Sequence, residues 1–309
     1  MGRGWLYGQS GWRGWRSSRR PMGLFHFVGR IWRHPANRGR RFRTLARATW
    51  WELRGRPVTE QKLFGGMRIL CRPESGVAGG LVHYSGRPEY HEMGLVAHLL
   101  RPGDRFVDVG ANAGYYTILA ASIVGPSGSV ESFEPGLPAL ARLRENVALN
   151  GLGNVRVHEC ALSDASGPAP FVHDRDTENR LATPADAGAV TVAASRLDEV
   201  IGEAPCALVK IDVEGAEMRV LRGAEAMLAR KAPPVWLIEV GKRLATFGAT
   251  EEEMASWLAA RGYDAAFYDA DARNLRFTGP PWTEGKNVVA VARTERERVS
   301  RLLKDVPVR

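Results

Sequence analysis

From residue 105 to residue 293 short apolar runs take turns with longer amphipathic ones, and few folds accept that order. RFVDVG (105–110), SVESFEP (129–135), NVRVHEC (154–160), ALVKIDV (207–213), PVWLIEV (234–240), YDAAFYD (263–269) and NVVAVAR (287–293) read as strands. YYTILAASIV (115–124), PALARLRENVALN (138–150), GAEMRVLRGAEAMLAR (215–230) and EEEMASWLAARG (251–262) read as helices. Strands and helices in alternation predict an α/β fold, a doubly wound, mostly parallel sheet with helices on both faces. Residues 161–205 are less regular and predict a hairpin, with strands near Pro170–His173 and Ala189–Ala193, then a helical turn near Leu197–Ile201. Ahead of the pattern, 67–73 and 80–86 read as short strands and 94–100 as a short helix.

The sharpest local feature is the turn Asp108-Val109-Gly110-Ala111-Asn112-Ala113-Gly114, which closes the first strand and opens a helix. In an open α/β sheet ligands bind beyond the carboxyl ends of the strands. Gly110 and Gly114 allow close backbone approach. The dinucleotide fingerprint is absent, because Asn112 stands where its second glycine belongs. A pyrophosphate wants bare N–H groups. Here Asp108 sits on the strand before the turn, which suits a cationic ligand tail such as the sulfonium and amino group of S-adenosylmethionine. Glu134, 26 residues on at the end of the second strand, is placed to bind ribose hydroxyls.

FVDVGANAGYYT, ESFEP, RENVALN, CALSD and LVKIDVEGAEMRVLRGA, in that order, resemble the FkbM-type family of S-adenosylmethionine-dependent methyltransferases over roughly residues 92–240. KIDVEGAE (210–217) is the most specific element. The resemblance implies a class I methyltransferase fold, Rossmann-like, with seven strands and the last one antiparallel. It implies cofactor contacts at Asp108, Gly110, Asn112, Gly114 and Tyr115, at Glu134 and Pro135 on the ribose side, at Ala161 and Leu162 beside the adenine, and at Glu92 ahead of the first turn. Leu197-Asp198 matches the family's Leu-Asp pair, with Arg196 in place of the usual Thr at a structural position. The acceptors it implies are sugars, glycans and secondary metabolites methylated on a hydroxyl.

Methyl transfer from a sulfonium needs alignment and exclusion of water, and a hydroxyl nucleophile also needs a base or a metal. Asp212 ends the fourth main strand, Glu214 follows it, and Glu239 ends the next strand. These acids can serve as base and positioning acid, or hold a divalent cation through oxygens, although the sequence shows no evident third ligand. Lys210 shares a side of its strand with Asp212 and can pair with an acid or touch the acceptor. Glu217 reads equally as an acid favoured at a helix N-terminus. His158 reads as packed in a strand, while His173 and Arg180 lie where an acceptor would enter.

The net charge of +9 is unevenly placed: residues 1–56 hold 14 Arg and one acid, Glu52, so the remainder is slightly acidic. The chain divides on this reading into a basic Arg/Trp-rich arm, partly disordered (1–56), strands and a helix packed on the core (57–100), the methyltransferase domain (101–295) and a tail (296–309). Met22, just before an amphipathic segment carrying Leu24, Phe25, Val28, Ile31 and Trp32, is an alternative start to Met1. The arm reads as a solvated extension or as a binding element, and as the latter it suits an anionic membrane surface better than nucleic acid, with Trp at headgroup level and Arg on lipid charges. Three widely spaced cysteines, Cys71, Cys160 and Cys206, predict buried free thiols in a reducing compartment. No run of 18 apolar residues and no signal-peptide pattern occur, so the expected place is the cytoplasm, peripheral to a membrane if the arm attaches. Two other functions stay open. One is methylation of nucleic acid or protein, disfavoured because Asp212-Val213-Glu214-Gly215 replaces an Asn/Asp-Pro-Pro-aromatic run; the other is a non-catalytic binding module using the arm. The oligomeric state is not legible.

Overall fold

The computed structural model describes residues 24–72, 82–173, 179–283 and 287–305. Residues 1–23, including the stretch read as disordered, lie outside them. The helices are α1 (Leu24–Arg33), α2 (Arg41–Leu53), α3 (Tyr90–Leu99), α4 (Tyr115–Val124), α5 (Leu137–Leu149), α6 (Leu197–Ile201), α7 (Glu217–Arg222), α8 (Glu225–Ala229), α9 (Glu251–Ala260) and α10 (Arg296–Lys304). Strands β1 (Thr59–Lys62) and β2 (Arg68–Cys71) form an antiparallel pair.

The main sheet contains β3 (Arg105–Val109), β4 (Ser129–Phe133), β5 (Val155–His158), β10 (Leu208–Ile211), β11 (Val235–Glu239), β12 (Tyr263–Asp269), β13 (Asn274–Phe277) and β14 (Asn287–Ala292). Its order is β13-β12-β14-β11-β10-β3-β4-β5. The five strands from β11 to β5 run parallel. The last strand, β14, inserts antiparallel between β11 and β12. This is the class I methyltransferase arrangement the resemblance implied, extended by the edge strand β13.

The two faces of the sheet follow from the two-residue period of a strand. Val107, Val109, Val209, Ile211, Trp236 and Ile238 point into one core, shared with Leu221 of α7, Leu228 of α8 and Met254 of α9. Phe106, Leu208, Val235 and Leu237 point into the other, beneath Met93 of α3, Leu119 of α4 and Leu303 of α10. On that second face the same alternation carries Asp108, Lys210 and Glu239 towards the carboxyl ends of their strands, where the site lies.

A second, four-stranded sheet has the order β6-β9-β7-β8, from β6 (Ala161–Leu162), β7 (Gly167–Val172), β8 (Arg180–Leu181) and β9 (Val190–Ser195). The antiparallel β7–β9 pair is the expected hairpin, with β8 inserted between its strands in sequence.

Several elements depart from the sequence reading. The helix expected over 215–230 is two, α7 and α8, broken at Gly223, where a Cβ would sit 2.1 Å from the Ser163 carbonyl oxygen. Asp198 then caps α8, its two oxygens each 2.9 Å from the Ala226 and Met227 amides, so the Leu-Asp pair is structural here. Residues 82–85, expected within a strand, are helical. The stretch expected as a tail carries α10, which buries Val299 and Leu303 one helical turn apart. The basic region from residue 24 onward holds α1 and α2 and docks on the body: Trp51 is buried and stacks on His83 at 4.5 Å. Cys71 and Cys206 are buried and Cys160 half-buried, all three free; burial raises each thiol, Cys71 and Cys206 to about 12.

Candidate active site

The turn after β3 is shaped by contacts within the protein. Gly110 has φ 78°, and a Cβ on it would lie 1.9 Å from the Asp212 carbonyl oxygen, so no other residue fits beneath the β10 loop. Its amide and that of Ala111 both donate to the Phe133 carbonyl at 3.0 Å. Asn112 is left-handed at φ 48°, a conformation Asn tolerates better than most residues. Gly114 caps α4 with Leu143 packed against it. At both positions the space a Cβ would take is filled by the chain itself.

Glu134 follows β4 and is buried. The Asn112 amide donates to its Oε2 at 2.9 Å and the Gly136 amide to its Oε1 at 2.8 Å. A carboxylate offers about four lone-pair positions. Two remain after these bonds, a number that matches the paired hydroxyls of a ribose. Burial raises Glu134 to about 7 against the pull of those two amides. Phe171 and Asn179 of the small-sheet region lie within 3.4 Å of a Cβ built on Gly136 and close over this end of the site.

Asp108 is fully buried beneath α4. Its Oδ2 accepts from Thr117 Oγ1 at 2.7 Å, while its Oδ1 is buried with no hydrogen-bond partner. Burial raises its pKa, opposed chiefly by Lys210. Lys210 pairs in register with Asp108 across the β3–β10 ladder. Its Nζ lies 3.0 Å from Asp212 Oδ2 and 4.8 Å from the Tyr116 ring centroid. Burial works against the lysine's charge, but Asp212, Asp108 and Glu89 outweigh it and its pKa rises.

Glu89, immediately before α3, is the residue the sequence reading missed. It accepts a hydrogen bond from the Tyr116 hydroxyl and faces Asp212 and Lys210. Burial first, and the charge of Asp212 second, raise its pKa well above the usual carboxylate range. The acid expected in this role, Glu92, lies at 3.5 Å from Asn287 Nδ2. No local pattern distinguishes the two; only the packing of α3 against α4 does.

Asp212, Glu214 and Glu239 come together as expected, each with an oxygen within 4.8 Å of the others, so Glu214 is the third oxygen donor the sequence did not make evident. Burial, then Asp212, raise Glu239 far above the ordinary carboxylate value. Asp212 keeps about a quarter of its side chain exposed, which leaves it open to an acceptor. Glu214, at φ 58°, is held by Arg243 at 2.7 Å. A divalent cation could bridge this spacing. Lys210 pairs with Asp212 and Arg243 with Glu214, so two of the three acids already have a cation from the chain. Glu217 is buried and stays inside the turn, accepting from the Val213 and Gly215 amides at 3.1 and 3.0 Å. That is the structural role rather than a catalytic one.

The other named residues take the following places. Tyr115 packs on the cluster of Ile69, Val82 and Ile118 beside β2. Pro135 is half-buried next to Glu134. Ala161 and Leu162 form β6 and are buried, Ala161 beside Phe171 and Ala216. His158 stacks on Phe133 at 4.4 Å and lies 2.7 Å from Glu131, packed as read. Arg180 is committed to Asp186 through two 2.8 Å bonds. His173 is half-buried at the end of β7.

A parallel sheet with its last strand reversed, and an acid-lined crevice at the strand ends, define the class I methyltransferase type. Residues 108–265 match the methyltransferase FkbM domain. The chain is 34% identical over 161 residues to the 31-O-demethyl-FK506 methyltransferase FkbM of Streptomyces tacrolimicus, covering 41% of this chain and 61% of that protein. It is 30% identical to methyltransferase 1 of Beauveria bassiana over 40% of this chain and 60% of that one. It is 31% identical to the hexuronic acid methyltransferase AglP of Haloferax volcanii over 44% of this chain and 56% of that one. The match thus spans about three fifths of these relatives' length. This chain belongs to the FkbM methyltransferase family, whose cofactor is S-adenosylmethionine.

Proposed function

We propose that the chain transfers a methyl group from S-adenosylmethionine to a hydroxyl of a sugar, glycan or secondary metabolite. The observation that carries this reading is the convergence of Glu89, Asp108 and Asp212 on one lysine, Lys210, with Glu239 beside Asp212, where β3, β10 and β11 end. These carboxyls, Asp108 buried and the others half-buried, outnumber the lysine they share, which favours a positively charged ligand. The unpartnered Asp108 Oδ1 and the two spare acceptor positions on Glu134 fit the same cofactor. One relative is named for 31-O-demethyl-FK506 and another for hexuronic acid, which supports a small oxygen-rich acceptor.

When bound, S-adenosylmethionine supplies an electrophilic methyl group on a good leaving group. The chain supplies the rest. Glu134 holds the ribose, and the turn from Asp108 to Gly114 sets the position of the donor's tail. Lys210 pairs with Asp212 at 3.0 Å and holds it in place, and Asp212 would take the acceptor hydroxyl's proton as the new C–O bond forms and the methyl's bond to sulfur breaks. Glu239 keeps its proton at neutral pH and donates it towards Asp212, fixing that carboxylate's orientation. A metal is not needed for these roles.

Calorimetric titration of the full chain with S-adenosylmethionine tests the first half. Binding that Asp108→Ala abolishes supports it; no binding by the unaltered chain removes it. Transfer of a labelled methyl group onto panels of glycans, small hydroxylated metabolites and RNA tests the second half, with label expected on the first two.

A further inference from the structure

Helix α2 presents an apolar stripe to solvent. Phe42, Ala46, Thr49, Trp50 and Leu53 recur at helical spacing, and all are exposed, Phe42 at 77% and Leu53 at 82%. Its opposite side is the docked one, with Thr44, Ala48 and Trp51 buried. Amphipathic helices of globular proteins turn their apolar face inward, and α2 has a second apolar face turned outward. The stripe continues onto α1, where Trp32 meets Phe42 edge to face at 5.1 Å. Val58 adds a further exposed side chain just past the helix.

Arginines flank the stripe. Arg33, Arg38, Arg40, Arg43, Arg54 and Arg56 are exposed. Arg54 lies over the Trp50 ring at 4.8 Å and Arg41 over the Trp32 ring at 5.4 Å. Residues 24–56 contain nine Arg and a single acid, Glu52, which is bound by the Tyr84 hydroxyl and by Arg56. Three arginines also fix the platform to the body, Arg38 and Arg40 among them, which leaves Arg33, Arg43 and Arg54 to face outward. Arg47 donates to the His83 carbonyl at 2.7 Å and Arg40 to the Ser85 carbonyl at 2.9 Å. Arg38 reaches Asp271 in the turn between β12 and β13 at 2.5 Å.

We propose that this outward face of α2, with Trp32 of α1, docks on a lipid bilayer that carries anionic headgroups. Phe42 and Leu53 enter the acyl boundary, Trp32 and Trp50 sit at headgroup level, and the flanking arginines meet the lipid charges. The charge decides among occupants. A second copy of the chain would bring two strongly positive faces together around any twofold axis. A nucleic acid would use the arginines but leave Phe42 and Leu53 with nothing apolar to enter. An anionic bilayer satisfies both sets at once. Among the described residues no helix is long and apolar enough to cross a membrane, so attachment is at the surface.

Flotation of the full chain with vesicles tests this, using phosphatidylcholine alone and phosphatidylcholine mixed with phosphatidylglycerol. The chain should float with the mixed vesicles, release as salt is raised, and bind the neutral ones far less. Residues 1–23 contribute five further arginines, so the decisive arm is the double substitution Phe42→Ser with Leu53→Ser. Both side chains are exposed, so the fold and S-adenosylmethionine binding should persist, while the vesicle affinity should fall by at least about tenfold. Arg43→Glu should cost roughly fivefold or more on the mixed vesicles alone. Failure of the full chain to float with mixed vesicles would overturn the proposal. So would a serine double variant that floats like the parent, or binding to tRNA that outcompetes the vesicles and ignores the serine substitutions. Unchanged donor binding throughout separates failure here from failure of the proposed methyl transfer.

Discussion

Glu131 and Glu134 stand three residues apart at the end of β4 and are equally buried, each 5% exposed, yet their chemistry diverges. Glu131 is met by His158 at 2.7 Å and by Arg105 at 2.7 Å, and its pKa falls to about 2. Glu134 is met only by two backbone amides, and burial lifts it to about 7. The first acid has two side-chain partners built into the fold. Among the described residues the second has no side-chain partner and only a minor pull from Lys210, a costly arrangement unless a ligand completes it. The same contrast runs across the sheet: Glu131 braces its strands through two side-chain partners, while Asp108 at the end of β3 keeps one oxygen without a hydrogen bond.

The largest effect should come from Asp212→Asn. If that carboxylate takes the acceptor's proton, turnover falls by about a hundredfold to ten-thousandfold while donor affinity hardly changes. Single-turnover methyl transfer at saturating donor measures this; an unaltered rate would remove Asp212 as the base. Next come the two substitutions that set the β4 acids against each other. Glu131→Gln strips Arg105 and His158 of their partner and should cost about 3 kcal/mol of stability, read as a lower denaturant midpoint, with donor affinity intact in the folded chain. Glu134→Gln should do the reverse. It should weaken donor binding by roughly ten- to hundredfold through lost charge-assisted hydrogen bonds, and leave stability at pH 8 equal or higher. If both substitutions changed the same property, the distinction between bracing and binding acids would collapse.

Smaller, and of opposite sign for the two residues, are the pH effects. Glu131 is depressed from 4.5 to about 2, so the stability it gives is complete above the unfolded value and drains away between about pH 5 and 2. Glu134 is raised from 4.5 to about 7, so the folded chain keeps a proton the unfolded chain has lost, and stability declines between those values. Urea midpoints measured from pH 3 to 8 should rise and then fall. Glu134→Gln should flatten the upper part of the curve, and Glu131→Gln the lower.

Much of this was readable in the sequence because it is periodic or local. The two-residue alternation that buries Phe106 and Leu208 also places Asp108, Lys210 and Glu239 on one face. The turn with Gly110 and the acid Glu134 lie at fixed offsets from the strands that carry them. What escaped depends on contacts between distant segments. Glu89 reaches the site only because α3 packs on α4 and offers it Tyr116. The break at Gly223 comes from the Ser163 carbonyl, sixty residues back, which leaves no trace in the helix's own pattern. β13 is largely exposed and shows no alternation, whereas α10 does carry an amphipathic pattern, Val299, Leu302 and Leu303, that the reading of 296–309 as a tail passed over.

The distinction rests on the raised carboxyls being held for a ligand, and proton-linked calorimetry reaches that directly. S-adenosylmethionine should be titrated into the full chain from pH 6 to pH 8, in buffers of differing ionisation enthalpy. The account predicts tighter binding as pH rises through about 7, with net proton release that shrinks in Glu134→Gln. Binding that is absent, or that is independent of pH and indifferent to Glu134, would contradict it.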